Sequence, residues 1–534
     1  MKSKMKAILS MLLVTAMLTV GCSGGSSESS NTPAKVTGST AKTDLIIANT
    51  AGEPGNLHPF NTVSIGRVIC TDGIYESLLT LNDKSEIVGK LAESYEQSNT
   101  EITFHLRKGV KFHNGVEMKA KDVVFSLQEV MLHSTGGLAT FFDSVDASNI
   151  KAVDDYTVKV PLKQVDTTIL SNIVNNFFVL PSDAYHQMGD DFQYKPIGTG
   201  PFKFKEWVVG DHITLEKFND YWGGTAKLNT VTIRTIPEVA QAMVEVETGG
   251  ADIMTNPLGS DVNKVLNGEV KGIKAFTKES LVLRNNNVNL NWNSEYIKNQ
   301  KVREVIARSI DRDSWVNIIS PGVGVPTYSN IAAGVWGYDE SISKSYPYTY
   351  DLEKAKELMK EAGYGSGITL VLLTDSRAYH LQAVELLQNT LSQIGINLEV
   401  KTMELAQQKE MMSTGEGFDL YMLDNLFNSA DPLSGLWRDS HPMFAKVNSS
   451  HYHFYTVNDA QGAKYQDLLN KIRITVDDNE RLNYTKELQK IFVEDIIWIP
   501  INSIQGYCLG NEKLQNVSFL NDIIMLTNET SFVN

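Results

Sequence analysis

The chain has 534 residues, of which 42% are hydrophobic and 21% are charged, and its formal net charge is -15. This composition is that of an ordinary folded protein, which excludes an intrinsically disordered chain and a membrane-embedded one. Hydrophobic cores stop growing at about 250 to 300 residues, so the length predicts two lobes, and the acidic balance argues against a nucleic-acid ligand.

Residues 1–21 predict an export signal. Three lysines precede an apolar run, residues 7–18, which is shorter than the roughly 20 residues of a membrane span but typical of a secretory signal peptide. Residues 18–22, Leu-Thr-Val-Gly-Cys, are similar to the lipobox of bacterial lipoproteins, with threonine in place of the usual leucine. We therefore expect a lipid on Cys22 that anchors the protein to the outer face of the cell membrane. An ordinary signal peptide that contains a cysteine is the alternative.

Residues 22–44 are small and polar, and they predict a flexible tether that buries nothing. Beyond the tether only Cys70 and Cys508 remain. Two cysteines in an exported chain of this length do not form a disulfide framework. The sequence leaves open whether they pair with each other or stay buried as thiols.

The stretch from Phe104 to Gly115, FHLRKGVKFHNG, concentrates basic residues in an acidic chain. Its alternation predicts a strand with one solvated face, and His-Asn-Gly predicts a tight turn. His113 has no partner at a spacing typical of metal sites. The stretch is therefore interpreted as scaffold and not as a nucleic-acid or metal site.

Extended to Ser126, this stretch resembles the signature of family 5 of the bacterial extracellular solute-binding proteins, with Asn114 in place of the usual aspartate. Other segments resemble the same family in the same order, and the resemblance runs from about residue 45 to the end. These segments are Glu53–Pro59, Ile74–Leu79, Pro196–Phe204, Asn219–Gly224, Thr248–Ile253, Val302–Arg312 and Tyr350–Tyr364.

The resemblance implies an α/β, two-lobed periplasmic-binding-protein type II fold with mixed sheets and flanking helices. In this family's large version the first lobe carries an extra subdomain. The expected boundaries are lobe I at residues 45–283, with the inserted subdomain at about 75–180, lobe II at 284–498, and a return to lobe I at 499–534.

The second half of the chain also predicts a parallel sheet from its own pattern. Asp351 is a good N-cap for a helix that stops at Gly363. A buried strand, Gly-Ile-Thr-Leu-Val-Leu-Leu, then precedes a helix at residues 383–394 and a strand, Asn-Leu-Glu-Val-Lys-Thr, and another strand begins at Phe418. Strand, helix and strand at this spacing indicate parallel pairing, and ligands collect at the carboxyl ends of such strands.

The loop after the first of these strands contains Arg377, a residue type that holds a carboxylate by two parallel hydrogen bonds. Arg377 and Tyr379 belong to an Arg-Ala-Tyr sequence that is similar to the Arg-Pro-Tyr of dipeptide receptors. The resemblance implies that Arg377 binds the carboxylate of a ligand. A surface arginine is the alternative interpretation.

The loop after the later strand departs from the peptide-binding pattern. The resemblance implies that Asn425, Leu426 and Phe427 pair with the ligand backbone as an added strand. Where peptide receptors have an aspartate for the ligand α-ammonium, this chain has Asn428, which supplies no countercharge. Asp431 could substitute for it; otherwise the ligand is not a simple free peptide.

Downstream of this loop, Trp437 could stack on a sugar or line a pocket, with core packing as the alternative. His441, His451 and His453 leave chelation of nickel or of a metal chelate open.

The resemblance implies the substrate-binding lipoprotein of an ABC importer, which closes two lobes over a solute and delivers it to a membrane permease. An oligopeptide or dipeptide is the first expectation, and an oligosaccharide or a nickel chelate is the alternative. The permease and the ATPase are expected to be separate chains, since the sequence contains no Walker loop and no membrane span. We expect a monomer without a cofactor.

One motif of the sequence raises an enzymatic alternative. Ser341 and Lys344 have the Ser-x-x-Lys spacing of penicillin-binding proteins. The Lys-Thr-Gly and Ser-Asp-Asn strings that accompany this spacing are missing from the sequence. The sequence therefore predicts a binding protein and not an enzyme.

Overall fold

The computed structural model describes residues 42–61, 65–82, 86–134, 138–277, 284–427, 431–440, 459–520 and 523–533. The predicted signal peptide, the tether up to residue 41 and Cys22 lie outside these ranges. So do four other residues singled out above, namely Asn428, His441, His451 and His453.

The first half of the chain alternates short strands with helices. Its strands are β1 (Asp44–Asn49), β2 (Leu79–Leu81), β3 (Ile87–Gly89), β4 (Ala92–Gln97), β5 (Glu101–Leu106), β6 (Lys151–Asp154), β7 (Thr157–Pro161), β8 (Phe202–Val208), β9 (His212–Lys217), β10 (Thr230–Thr235), β11 (Ile253–Met254) and β12 (Ile273–Phe276). Its α-helices are α1 (Ile65–Thr71), α2 (Ala120–Leu132), α3 (Ile169–Asn176), α4 (Ser182–Met188), α5 (Val239–Thr248) and α6 (Gly259–Leu266).

The second half contains longer helices. Its strands are β13 (Arg284–Leu290), β14 (Gly324–Pro326), β15 (Ile368–Thr374), β16 (Ile396–Thr402), β17 (Leu420–Leu426), β18 (Ile499–Ile504), β19 (Cys508–Asn511), β20 (Leu514–Gln515), β21 (Ser518–Leu520), β22 (Ile523–Met525) and β23 (Ser531–Phe532). Its helices are α7 (Gln300–Arg308), α8 (Arg312–Ile319), α9 (Glu340–Lys344), α10 (Leu352–Glu361), α11 (Ala378–Ser392), α12 (Leu405–Thr414), α13 (Leu433–Ser440), α14 (Asp459–Ile474) and α15 (Asp478–Asp495).

A seven-stranded mixed sheet organises the first half, in the order β12-β19-β11-β1-β10-β9-β8. Strand β1 lies at its centre and runs parallel to both neighbours, β10 and β11. Leu45 and Ile47 of β1 are fully buried, as expected for apolar residues in a strand that is paired on both edges.

The first half also contains a second sheet, which has four antiparallel strands in the order β4-β5-β7-β6. Strand β5 contains Phe104, Leu106 and His105 from the basic stretch. The two apolar side chains are buried and His105 is partly exposed, so the strand has the one solvated face that its alternation predicts. Gly115 follows in a turn with a φ of 85°.

A six-stranded sheet, in the order β14-β18-β13-β17-β15-β16, organises the second half. Strand β15 runs parallel to β16 and to β17, which confirms the predicted parallel pairing. Strand β13 runs antiparallel to β17, so the sheet is mixed. Helix α11, which connects β15 to β16, begins at Ala378 and not at the predicted residue 383.

Two chain crossings join the large sheets, one from β12 to β13 and the other from β18 to β19. Thr277 Oγ1 donates to the carbonyl oxygen of Gly506 at 2.7 Å, and Gln505 Nε2 donates to Thr277 Oγ1 at 2.8 Å. The sequence predicts a return to lobe I at residue 499, just where β18 begins. In the structure β18 pairs with β13 and β14, so it belongs to the sheet of the second half. The chain rejoins the first sheet at β19, beginning with Cys508.

Cys70 and Cys508 are both buried and no disulfide joins them. Among the described residues, the structure contains no helix with the length and apolar character needed to cross a membrane.

Candidate functional site

The candidate site lies where β15 and β17 end side by side. The two strands are parallel, with Leu372 opposite Leu420, so the loops that follow them leave the same edge of the sheet. The chain turns from β15 into α11 through Arg377, which is the N-cap residue of that helix. Sequence analysis assigned candidate ligand residues to both loops.

Arg377 is held by carboxylates from both strands' ends. Its Nε and Nη2 atoms donate to Oδ2 of Asp375 at 2.9 and 2.6 Å. Its Nη1 atom donates to Oδ2 of Asp424 at 2.6 Å and to the Tyr379 hydroxyl at 2.6 Å. The guanidinium, which has five N–H groups, therefore makes four hydrogen bonds to side chains of the protein.

Asp424 is the centre of a wider cluster. Its Oδ2 atom accepts from the Tyr379 hydroxyl at 2.7 Å, and its Oδ1 atom lies 3.0 Å from Nε2 of His380. The other ring nitrogen of His380 lies 3.1 Å from Oδ1 of Asp375. His380 is fully buried, and the side chains of Asp375 and Asp424 are 6% and 9% exposed.

The electrostatics of the cluster favour the ion pairs. Burial by itself would raise the pKa of Asp424, but Arg377 and His380 lower it more, and the net pKa lies well below the usual range of a carboxyl. Burial also raises the pKa of Asp375. Hydrogen bonds from His380 and Arg377 lower it more, so the net pKa of Asp375 lies below the usual value of a carboxyl. Burial lowers the pKa of Arg377, whereas Tyr379 and Asp424 raise it well above its usual value.

The structure therefore brings two predicted residues, Arg377 and Tyr379, into one cluster with three that sequence analysis missed. The missed residues are Asp375, His380 and Asp424. Asp375 and His380 flank Arg377 in the chain, and a short Asp-x-Arg-x-x-His spacing at the start of a helix could have revealed them. Asp424 is brought in by the parallel pairing of β15 and β17, which the spacing of residues along the chain does not reveal.

The three residues predicted to pair with a ligand backbone lie at the end of β17. Asn425 is opposite Asn285 of β13 and is 2% exposed, and Leu426 is the last residue of the strand. Phe427 is fully buried, and a Cβ added to Gly435 would lie 2.8 Å from its ring. The Phe427 side chain is thus part of the core.

The edge of β17 that faces β15 is paired with β15 along only part of the strand. Strand β15 pairs with it only at Leu420 and Tyr421. Within the described part of the chain, β17 continues past this ladder from Met422 toward Asn425 while its opposite edge stays paired with β13.

Asp431 and Trp437 both have contacts within the protein. Oδ1 of Asp431 accepts from the backbone N–H of Leu433 at 2.8 Å, and Oδ2 accepts from Nη2 of Arg481. Trp437 is 4% exposed, and the guanidinium of Arg473 lies 4.5 Å from its ring centroid. The burial of Trp437 fits core packing, which is the alternative interpretation of this residue. A contact of Asp431 with a ligand ammonium stays a prediction.

The remaining motifs have scaffold contacts. His113 Nδ1 accepts from the N–H of Gly198 at 3.2 Å, and Nε2 lies 3.0 Å from the carbonyl oxygen of Gly200, so this ring pins the Gly-Thr-Gly-Pro turn. Ser341 donates to Asp339, and Lys344 lies 3.1 Å from Glu340 instead of contacting Ser341. Within the described ranges, no group of three His, Cys, Asp or Glu side chains is placed to hold a metal ion.

Comparisons with known proteins agree on one family. The model of "Bacterial extracellular solute-binding proteins, family 5 Middle" matches residues 86–444. The dipeptide-binding protein of Escherichia coli K12 is 26% identical over 476 residues, which cover 81% of this chain and 86% of that protein. The glutathione-binding protein GsiB of Pectobacterium atrosepticum is 27% identical over 459 residues, or 84% of this chain and 87% of that protein.

A solved structure extends the comparison to the fold. The periplasmic binding protein DppA from Helicobacter pylori, solved in complex with the peptide STSA, superposes with a TM-score of 0.80 at 26% identity. The match covers 92% of this chain and 98% of that protein. The predicted fold class, with mixed sheets and flanking helices, is confirmed.

Proposed function

The chain belongs to family 5 of the bacterial extracellular solute-binding proteins, whose members serve ABC importers, and on that premise we propose that its solute is a small peptide. The two lobes close over the peptide, and the closed form delivers it to a membrane permease. The permease and its ATPase are separate chains. A lipid on Cys22 anchors the receptor, which acts as a monomer outside the cytoplasm.

The observation that carries the peptide assignment is the edge of β17. The ladder with β15 ends at Tyr421, and β17 continues toward Asn425 beside the Arg377 cluster. Gln408 Nε2 donates to the Met422 carbonyl oxygen at 2.8 Å. Beyond Met422, a peptide in extended conformation can add to this edge through main-chain hydrogen bonds, which are independent of its side chains. The end of β17 and the residue after it, Asn425, Leu426 and Phe427, then lie along the peptide, consistent with the burial of the Phe427 ring.

A thermal-shift screen of the purified full chain tests the ligand class. The probes are tetra-alanine, maltotetraose and the nickel complex of histidine. Tetra-alanine is expected to raise the unfolding midpoint, since a ligand at a hundredfold its Kd stabilises the native state by about 2.7 kcal/mol. A shift produced only by maltotetraose or by the nickel complex would contradict the peptide assignment.

N-methylated probes test the main-chain mode of recognition. Ladder hydrogen bonds alternate along a strand, so a single N-methyl group on tetra-alanine is expected to weaken binding by roughly five- to tenfold at alternate amides, the effect of about one lost hydrogen bond. The control is an alanine-to-serine exchange in the same peptide, which leaves the backbone unchanged. Equal affinity for all N-methylated forms, measured by calorimetry, would exclude strand addition.

A further inference from the structure

We propose that Asp424 occupies the place on Arg377 that a ligand carboxylate would take, so that the receptor selects solutes without a carboxylate at this end. The inference rests on the solute-binding role proposed above and narrows the class of solute. It makes Asp424 a specificity-determining residue.

Side chains of the protein occupy both edges of the Arg377 guanidinium. A carboxylate bound by two parallel hydrogen bonds needs one edge of the group, either Nε with Nη2 or Nη1 with Nη2. Asp375 takes the first edge with one oxygen. Asp424 and Tyr379 both accept from Nη1, which occupies the second edge. No complete edge is left for a ligand carboxylate.

Asp424 is held in place by its strand and by its hydrogen-bond partners. It is in β17, a strand paired on the β13 side along its whole length, and its carboxylate contacts Arg377, Tyr379 and His380 at 2.6 to 3.0 Å. A ligand carboxylate would have to displace a 9% exposed anion from three partners, and burying a charge without partners is costly. Asp424 therefore stays in place.

A second arginine, Arg284, lies opposite Leu426 at the same end of the sheet. Arg284 begins β13, and its positive charge also lowers the pKa of Asp424.

Arg377 still offers a ligand one hydrogen-bond donor. The Arg377 side chain is 35% exposed, and one N–H of Nη2 is not engaged by the described residues. A single donor suits one neutral oxygen, such as an amide carbonyl or a hydroxyl. The matching solute is a peptide with a blocked or amide end, or another ligand that presents a neutral oxygen there.

The experiment compares tetra-alanine with its C-terminal amide. The Kd of each is measured by calorimetry on the wild-type chain, on Asp424→Asn and on a control, Asp220→Asn. Asp220 is a 56% exposed carboxylate whose partner, Lys111, lies in the first half of the chain. We expect the wild type and the control to bind the amide at least as tightly as the acid. We expect Asp424→Asn to bind the acid at least tenfold more tightly, relative to the amide, than the wild type does.

A tenfold preference of the wild-type chain for the acid would overturn the inference, even if the variant does not fold. A second measurement is independent of any ligand. Phenylglyoxal labelling of Arg377, followed by peptide mapping, is expected to be at least fivefold faster in Asp424→Asn than in the wild type. Equal labelling rates would also overturn the inference. If neither peptide binds any of the proteins, the peptide assignment fails, and the labelling rates still decide the role of Asp424.

Discussion

Arg473 and Asp166 form a buried ion pair between residues 307 positions apart. Nη2 of Arg473 lies 2.7 Å from Oδ2 of Asp166, and the two side chains are 4% and 0% exposed. The same nitrogen donates to Asp143, and the backbone carbonyl of Arg473 accepts from the N–H of Thr167 at 2.8 Å. Burial lowers the pKa of Arg473, but Asp166 and Asp143 raise it more, so the charged pair is favoured. These contacts attach α14 to the segment before α3.

A double-mutant cycle at this pair is expected to show strong coupling. Arg473→Met leaves the fully buried carboxylate of Asp166 without its cation, so it should lower the free energy of unfolding by about 3 kcal/mol. In the Asp166→Asn background the same substitution should cost at least about 1 kcal/mol less. Urea denaturation measures all four proteins. The control is Lys301→Met, which removes an exposed pair with Glu361 at 2.7 Å and should cost less than about 1 kcal/mol. Equal costs for Arg473→Met and the control would contradict the prediction.

The local patterns of the sequence predicted local structure well. Asp351 caps α10 as expected, with its side chain accepting from the N–H of Lys354, and the alternation from Phe104 predicted a strand with one buried face. Both features depend on residues that are close in the chain. The register of β15 with β17 depends on the whole sheet, so the pairing of Arg377 with Asp424 could not be read from spacing.

The roles of polar residues are harder to predict from the sequence, because their partners are far away in the chain. Arg377 and Asp431 are the right residue types for a ligand's charged ends. Their internal partners, Asp424 and Arg481, come from other elements of the fold. A sequence pattern identifies a charged group, whereas only the fold shows which opposite charge is already beside it.

Gly198 explains why the Gly-Thr-Gly-Pro turn contains glycine. A Cβ at this position would lie 2.0 Å from the backbone oxygen of Ile74, and the N–H of Gly198 donates to His113. Since a backbone oxygen cannot move without its segment, Gly198→Ala is expected to lower the free energy of unfolding by about 3 kcal/mol, the upper range for overpacking.

The matched control for this substitution is Gly55→Ala. Among the described residues other than its two chain neighbours, no atom lies within 4 Å of a Cβ at Gly55, and its φ is not in the left-handed region. The control is expected to change the free energy of unfolding by less than about 1 kcal/mol, as measured by urea denaturation. If Gly198→Ala were as stable as the control, the backbone oxygen of Ile74 could not lie as close to Gly198 as the structure shows.

The burial of His58 predicts that the stability of the fold depends on pH. It is 4% exposed, its Nδ1 atom accepts from the N–H of Phe60 at 3.1 Å, and Nε2 lies 3.0 Å from the hydroxyl of Tyr185, which donates to Glu129 at 2.6 Å. Burial lowers the pKa of His58 from 6.5 to about 4, with Glu129 opposing the shift and Arg67 adding to it. The folded protein therefore keeps this ring neutral.

The sign of the pH effect follows from that shift. The unfolded chain takes up a proton on His58 below about pH 6.5, whereas the folded protein does so only near pH 4, so the stabilising contribution is complete above 6.5 and is lost as the pH falls through this window. A shift of this size corresponds to about 3 kcal/mol. His58→Gln removes the titrating group and keeps a polar side chain. The free energy of unfolding, measured by urea denaturation from pH 4 to 7.5, should fall less steeply with acid in His58→Gln than in the wild type. Parallel curves for the two proteins would show that His58 does not titrate as its burial predicts.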